Sequence, residues 1–297
     1  MAFQSVNLVS DNSTVSNFKS WAQAISSFFA TAGWTQSADT GQVDWTTISA
    51  APSTSYVYEI WEPNDSLTNF YLKVEYGDEN GPMIRLSIGT ATNGAGALTG
   101  YVMGPYVAAP GGGNSPSASA TYPCYFSGAA GRISVLMWRA GGSNCTQLFA
   151  IERSVNSSGT YTGSHVTMAL SGYSDAGTPY TQQTLVFAVG VAPAQSVGGT
   201  GTGNGGMPCK AFRLGQSVSG AFNSSIPLET IAPMIGYYDY PLTVAGIAPI
   251  GNVTDGQIIT TTVYGVTRTY VGTIVNDVTY SIASDSGYRT AVLVRYD

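Results

Sequence analysis

The stretch from Tyr56 to Gly89, YVYEIWEPNDSLTNFYLKVEYGDENGPMIRLSIG, leaves little choice of fold. Phe70, Leu72, Val74 and Tyr76 fall on one side of an extended chain, and Tyr71, Lys73 and Glu75 on the other. Strict period-two alternation in aromatic and β-branched residues is the pattern of a half-buried strand. Before it, Tyr56, Tyr58 and Ile60 alternate with Val57, Glu59 and Trp61. After it, Ile84, Leu86 and Ile88 alternate with Met83, Arg85 and Ser87. Pro63 to Ser66 and Gly77 to Pro82 interrupt the pattern with turn-forming residues. Three strands joined by short polar breaks predict an antiparallel meander with one wet face. An aromatic side chain buries about 150–250 Å², and apolar burial contributes about 25 cal/mol/Å². This sheet is therefore expected to floor the main core.

The remainder reads as more of the same class. Residues 13 to 33 are the one helix candidate: Ser13 or Thr14 is suited to cap it, and Gly33 is suited to end it. Phe18, Trp21, Ala22, Ile25, Phe28 and Phe29 recur at helical spacing, so the helix is expected to lay an aromatic stripe on the sheet. A helix reserved for a partner is the sharper alternative. Val43 to Ile48 is read as a short strand, Thr90 to Gly100 as a wide turn, and Tyr101 to Val107 as a strand broken by Pro105. Further strands are expected at Thr121–Phe126, Arg132–Trp138, Thr146–Glu152, His165–Leu170 and Thr184–Val191. Short strands at regular spacing with no second helix favour an antiparallel β-sandwich or open barrel. A parallel sheet would need crossover helices.

The clearest compositional break is APAQSVGGTGTGNGGM, residues 192–207, read as a Gly-rich linker or long loop. It divides a helix-plus-sandwich core, residues 1–191, from a small β domain, residues 208–297. Strands in the latter are expected at Gln257–Tyr264, Thr267–Val275, Val278–Ile282 and Arg289–Tyr296. The alternative is that these residues complete the first sandwich. The fold class expected is thus mainly β, an antiparallel β-sandwich with one N-terminal amphipathic helix and a smaller C-terminal β domain.

Composition narrows the function. Only 9% of residues are charged, the formal net charge is −6, and no basic run occurs. A nucleic-acid groove needs clustered Lys and Arg, so none is expected. No apolar stretch approaches the roughly 20 residues that span a bilayer. The opening MAFQSVNLVSDNS lacks the charged-then-apolar pattern of a secretory signal, so synthesis in a cytoplasm without ordinary secretion is expected. Yet low charge with abundant Ser, Thr, Gly and Tyr is the style of exposed, β-rich proteins. A virus particle reconciles the two, because its parts are made inside a cell and work outside it.

Chemistry-bearing patterns are weak. Gly201 to Gly206 matches GxGxxG, but Met207-Pro208 follows in place of the helix that a dinucleotide site requires. His165 is the one histidine, and no GxSxG elbow accompanies it. Cys124, Cys145, Cys209 and His165 lack the close pairs of zinc modules. A Cys124–Cys145 bridge is weighed against buried thiols, which are favoured. Glu59, Glu62, Asp65, Glu75 and Asp78 are the candidates for a glycosidase acid pair. A solvated sheet face with turn acids explains them equally well. Asn-x-Ser/Thr sequons at Asn12, Asn64, Asn144, Asn156, Asn223 and Asn252 follow from the Ser- and Thr-rich composition. No catalytic, cofactor-binding or metal residue is assigned, and no cofactor is expected.

The block Trp21…Gly33-Trp34…Asp39-Thr40-Gly41-Gln42…Tyr58-Glu59-Ile60-Trp61…Phe70 to Gly77…Ile88-Gly89-Thr90…Gly94 to Gly100, with Tyr288 to Tyr296 at the end, resembles virion structural proteins of tailed bacteriophages, often encoded near tail or neck genes. The likeness covers about the first hundred residues and is looser beyond. It implies a non-enzymatic virion component of the neck, collar, tail or fibre-attachment region. The partners implied are copies of itself and other virion proteins. The alternative of another class is a carbohydrate-binding adhesin or capsid decoration protein that meets a host surface glycan. A surface-sugar hydrolase is a third reading.

Overall fold

The structure, a computed structural model, describes residues 1–9, 14–52, 55–78, 82–108, 121–138, 146–155, 160–171, 183–188, 197–200, 229–231, 234–235, 238–239, 242–249, 256–263, 265–276 and 289–297. Strands are numbered along the chain. The front sheet holds β2 (Trp34–Gln36), β3 (Val57–Pro63), β4 (Tyr71–Asp78), β5 (Pro82–Thr92) and β6 (Leu98–Ala108), in that order. The middle sheet runs β1 (Ala2–Val9), β7 (Thr121–Ala129), β8 (Arg132–Trp138), β9 (Thr146–Val155), β10 (Tyr161–Ser171), β11 (Gln183–Ala188) and β12 (Val197–Thr200). The back sheet is ordered β13 (Glu229–Ile231), β16 (Leu242–Pro249), β19 (Arg289–Arg295), β18 (Val266–Asn276) and β17 (Ile258–Val263). β14 (Met234–Ile235) and β15 (Tyr238–Asp239) form a separate pair. Every pairing is antiparallel. The fold is mainly β with a single helix among the described residues, as the alternation predicts.

That helix, α1 (Val15–Thr31), fills the space between the front and middle sheets. The Thr14 hydroxyl accepts from the Asn17 amide at 3.2 Å, and Gly33 stops the helix in the left-handed region at φ +86°. Its aromatic stripe is buried as expected. Phe28 stacks on Phe126 of the middle sheet at 5.3 Å between ring centroids. Phe29 stacks on Trp61 of the front sheet at 5.2 Å and meets Phe149 of the middle sheet at 6.5 Å. The register sets the front-sheet core face: Trp61 beside Leu72, Ile88 and Met103, and Glu59 beside Val74 and Leu86.

Alternation along the middle sheet divides its two faces. Phe126, Val135, Phe149 and Ile151 join the core around α1. Ser134, Glu152 and Thr167 lie on the other face, where Glu152 and the Ser134 hydroxyl meet Thr243 and Val244 of the back sheet. The layers therefore succeed one another as front sheet, α1, middle sheet and back sheet.

Local differences from expectation have plain causes. Val43–Ile48 is not a strand. The Asp44 carboxylate accepts from the Thr46 amide at 2.9 Å and the Thr46 hydroxyl at 2.7 Å, which curls the chain. The missing strand position is taken by β2, and β1 was not anticipated. β6 continues through Pro105, which an edge strand tolerates because it owes no amide to a further neighbour. The turn after β5 is only Asn93–Ala97, closed by the Asn93 side chain accepting from the amides of Ala95 and Ala97 at 2.8 and 3.0 Å. Within the Gly-rich stretch, Val197–Thr200 forms β12 against β11. Residues 192–196 and 201–207 and the strand expected at 278–282 lie outside the described residues.

Candidate functional site

The acids singled out from the sequence do not share a cleft. Glu59 sits on the core face of β3 and is 2% exposed. Its carboxylate accepts from the Ser26 hydroxyl (2.7 Å), the Trp45 and Trp61 indoles (2.9 and 3.2 Å) and the Tyr76 hydroxyl (3.1 Å). Burial, followed by the Glu59 charge and hydrogen bond, pushes the Tyr76 phenol well above its ordinary pKa. Glu75 occupies the opposite face, 3.7 Å from the Lys73 ammonium. Glu62 accepts from the Asn69 amide. Asp65, in the turn after β3, is held by the Arg153 guanidinium through Nε and, at 3.0 Å, Nη2. The Asp78 side chain lies outside the described residues. Each carboxylate that is described thus has a structural partner of its own.

The other candidates are similarly dispersed. His165 lies half-buried on β10 opposite Ala188, and burial lowers its pKa. Cys124 is buried within the core cluster, and burial pushes its thiol pKa up. Cys145, Cys209 and the Gly201–Gly206 motif lie outside the described residues, as do the sequons other than Asn64, which is exposed after β3. Among the described residues no three His, Cys, Asp or Glu side chains gather around a metal position. No described helix is long and apolar enough to cross a membrane.

Sequence reasoning missed two buried charges of the middle sheet. Glu152 and Arg153 are consecutive on β9, so they point to opposite faces. Glu152 is fully buried and accepts from the Thr243 hydroxyl (2.6 Å), the Val244 amide (2.9 Å), the Tyr161 hydroxyl (2.7 Å) and the Thr243 amide. Arg153, also fully buried, lies over the Phe70 ring at 4.8 Å and reaches Asp65. One strand thereby ties both outer layers to the middle sheet. The signal was available: two charges inside the run Phe149-Ala150-Ile151-Glu152-Arg153.

On the outer face of the front sheet, residues 37–42 are clasped to the Asn93–Ala97 turn. The Asp39 carboxylate accepts from the Ser37 hydroxyl at 2.8 Å and the Gly96 amide at 3.1 Å. A side chain at Gly96 would collide with the Tyr58 hydroxyl, 1.9 Å from its Cβ position. Tyr58 itself is covered by the Lys73 ammonium, 4.1 Å from the ring centre.

Leu67, in the loop after β3, and Tyr296, past β19, are exposed, and other exposed apolar side chains lie at sheet edges. On β6, the edge of the front sheet, Tyr101 and Val102 are exposed. On β17, the edge of the back sheet, Ile258 is 56% exposed, and Val266 is exposed just past the turn. Neither strand carries a charged residue. β6 is made irregular by two register shifts and Pro105, devices that discourage further pairing. β17, IITTTV, pairs with β18 in unbroken register and has neither device. Such an edge is a template for another strand. A shallow depression of ≈ 340 Å³ between the end of α1 and the β7–β8 turn is lined by small residues such as Ala32, Gly33, Ala129 and Ala130. Set beside known protein families, the chain matches none, and no curated protein matches it.

Proposed function

We propose that this chain is a non-enzymatic structural component of a tailed-phage virion, in the neck, tail or fibre-attachment region. It works by presenting strand edges to copies of itself and to neighbouring virion proteins. The observation that carries this reading is the division of labour among side chains. The described carboxylates serve internal contacts, while four of the exposed apolar residues, Ile258, Val266, Tyr101 and Val102, lie on or beside uncharged edge strands. Strand addition at such an edge takes its affinity from main-chain hydrogen bonds and its selectivity from alternate side chains. Closed rings are the usual outcome of repeated identical contacts.

The test has two parts. Light scattering of the purified chain is expected to show self-association, reduced by Ile258→Lys, which sets a charge on the edge. Mass spectrometry of purified particles is expected to find the chain. A monomer absent from particles rejects the proposal. Binding on a glycan array, lost in Tyr101→Ala, would favour the adhesin instead.

A further inference from the structure

The face of the back sheet that carries Tyr270 holds two arginines with buried, unused donors. Arg268 on β18 is 5% exposed and Arg295 on β19 is 9% exposed. Tyr270 is the register partner of Arg295, so Arg268, two residues earlier on β18, shares their face and lies diagonal to Arg295. Diagonal neighbours of this kind are within reach of long side chains. On the other flank Arg268 pairs with Thr261 of β17. The Arg268 Nε and Arg295 Nη1 hydrogens are both buried and meet no acceptor among the described residues.

Among the described residues, Asp297 is the carboxylate hydrogen-bonded at this corner. Asp297 accepts from Arg295 Nε at 2.9 Å and, through its second oxygen, from the Thr269 amide at 3.1 Å. Glu152, the other acid near Tyr270, already accepts from Thr243, Val244 and Tyr161. Among the described residues, the two guanidinium groups therefore stand near two carboxylates, Asp297 and Glu152, whose oxygens are already committed. A guanidinium keeps its charge in proteins, and a buried charge is costly unless it is paired and hydrogen-bonded. The Asp297 side chain is 42% exposed, so the rim of this corner meets solvent while the two donor atoms lie beneath it.

We propose that Arg268 and Arg295 form a binding site for one oxyanion of the phosphate class. A tetrahedral oxyanion offers separate oxygens to N–H groups carried by diagonal neighbours on adjacent strands, in the charge-assisted bonding that arginine favours. The site is independent of the edge contacts of β17.

Isothermal titration of the full chain with inorganic phosphate, at ionic strength matched with chloride, tests this. Saturable binding is expected, weakened about tenfold or more by Arg268→Gln. Arg295→Lys, which keeps the charge but loses the second donor, is expected to weaken it to a lesser degree and guards against a folding defect in the first variant. Acetate in a parallel titration separates the sources of the oxyanion. If acetate binds as tightly as phosphate and is equally sensitive to Arg268→Gln, a carboxylate is the natural occupant of the same site. Phosphate indistinguishable from chloride, or binding unchanged in both variants, overturns the proposal.

Discussion

The face of the middle sheet that meets α1 presents Phe126, Phe149 and Ile151, whereas the face that meets the back sheet presents Ser134, Glu152 and Thr167. Both faces are buried, yet they hold their neighbours by different physics. The first is apolar and non-directional, so its stability scales with area and packing. The second depends on four donors directed at one carboxylate, and each buried donor left without an acceptor costs about 1–3 kcal/mol. An oily contact specifies that two layers adhere; a polar seam specifies where.

Phe29→Ala breaks the comparison from the apolar side. Phe29 touches both flanking sheets through Trp61 and Phe149, and its loss is expected to cost about 3–5 kcal/mol. Urea denaturation should show one weakened transition in which front and middle sheets fail together. A loss below about 1 kcal/mol would mean that α1 is not the keystone of that interface.

Glu152→Gln breaks it from the polar side. The amide turns one of the two acceptor oxygens into a donor, so either the backbone amides of Thr243 and Val244 or the hydroxyls of Thr243 and Tyr161 lose their acceptor, with an expected loss of about 1–3 kcal/mol. The effect should be local. Hydrogen exchange of β16 should quicken while β4 and β5 stay protected. Uniformly faster exchange in all three sheets would show that the two interfaces are one cooperative unit.

The smallest effect sharpens the comparison at a rim. Burial raises the Asp39 pKa, but hydrogen bonds from Ser37, Gly96, Thr92 and Gly94 outweigh it and hold the group below the usual carboxylate value. A depressed folded pKa means stabilisation that is complete above the unfolded value of about 3.9 and lost as pH falls through the folded one. Thermal melts below about pH 4 should therefore fall more steeply in the parent than in Asp39→Asn. Parallel curves would exclude Asp39 as a contributor to acid loosening of the 37–42 clasp.

Much of the fold was legible because alternation is a local property. β8 was placed to the residue and the three meander strands to within a few residues, and α1 was marked by its stripe and its Gly33 stop. β1 was missed because its pattern, AFQSVNLV, alternates weakly, and its burial depends on pairing with β7, far along the chain. The role of Glu59 was not legible. The sequence offered it only as a candidate acid or as part of a solvated sheet face, and Ser26 was one of the polar residues between the apolar positions of the helix. Only the tertiary arrangement brings those two together at 2.7 Å. The seam at Glu152 was illegible for the same reason, since Thr243 lies about ninety residues away. Charge at mid-strand marks that a partner exists, and long-range packing alone decides which.

The adjacency of Glu152 and Arg153 bears on how errors are rejected during assembly of the fold. Sliding β9 by a single residue would exchange the two side chains between layers. A slip in one direction sets a cation against the amides of Thr243 and Val244, and a slip in the other sets an anion against Asp65. Each mispairing is repulsive in a medium where repulsion is poorly screened. A chain with few charges overall thus places two of them where they veto the commonest mistake a β-rich protein can make.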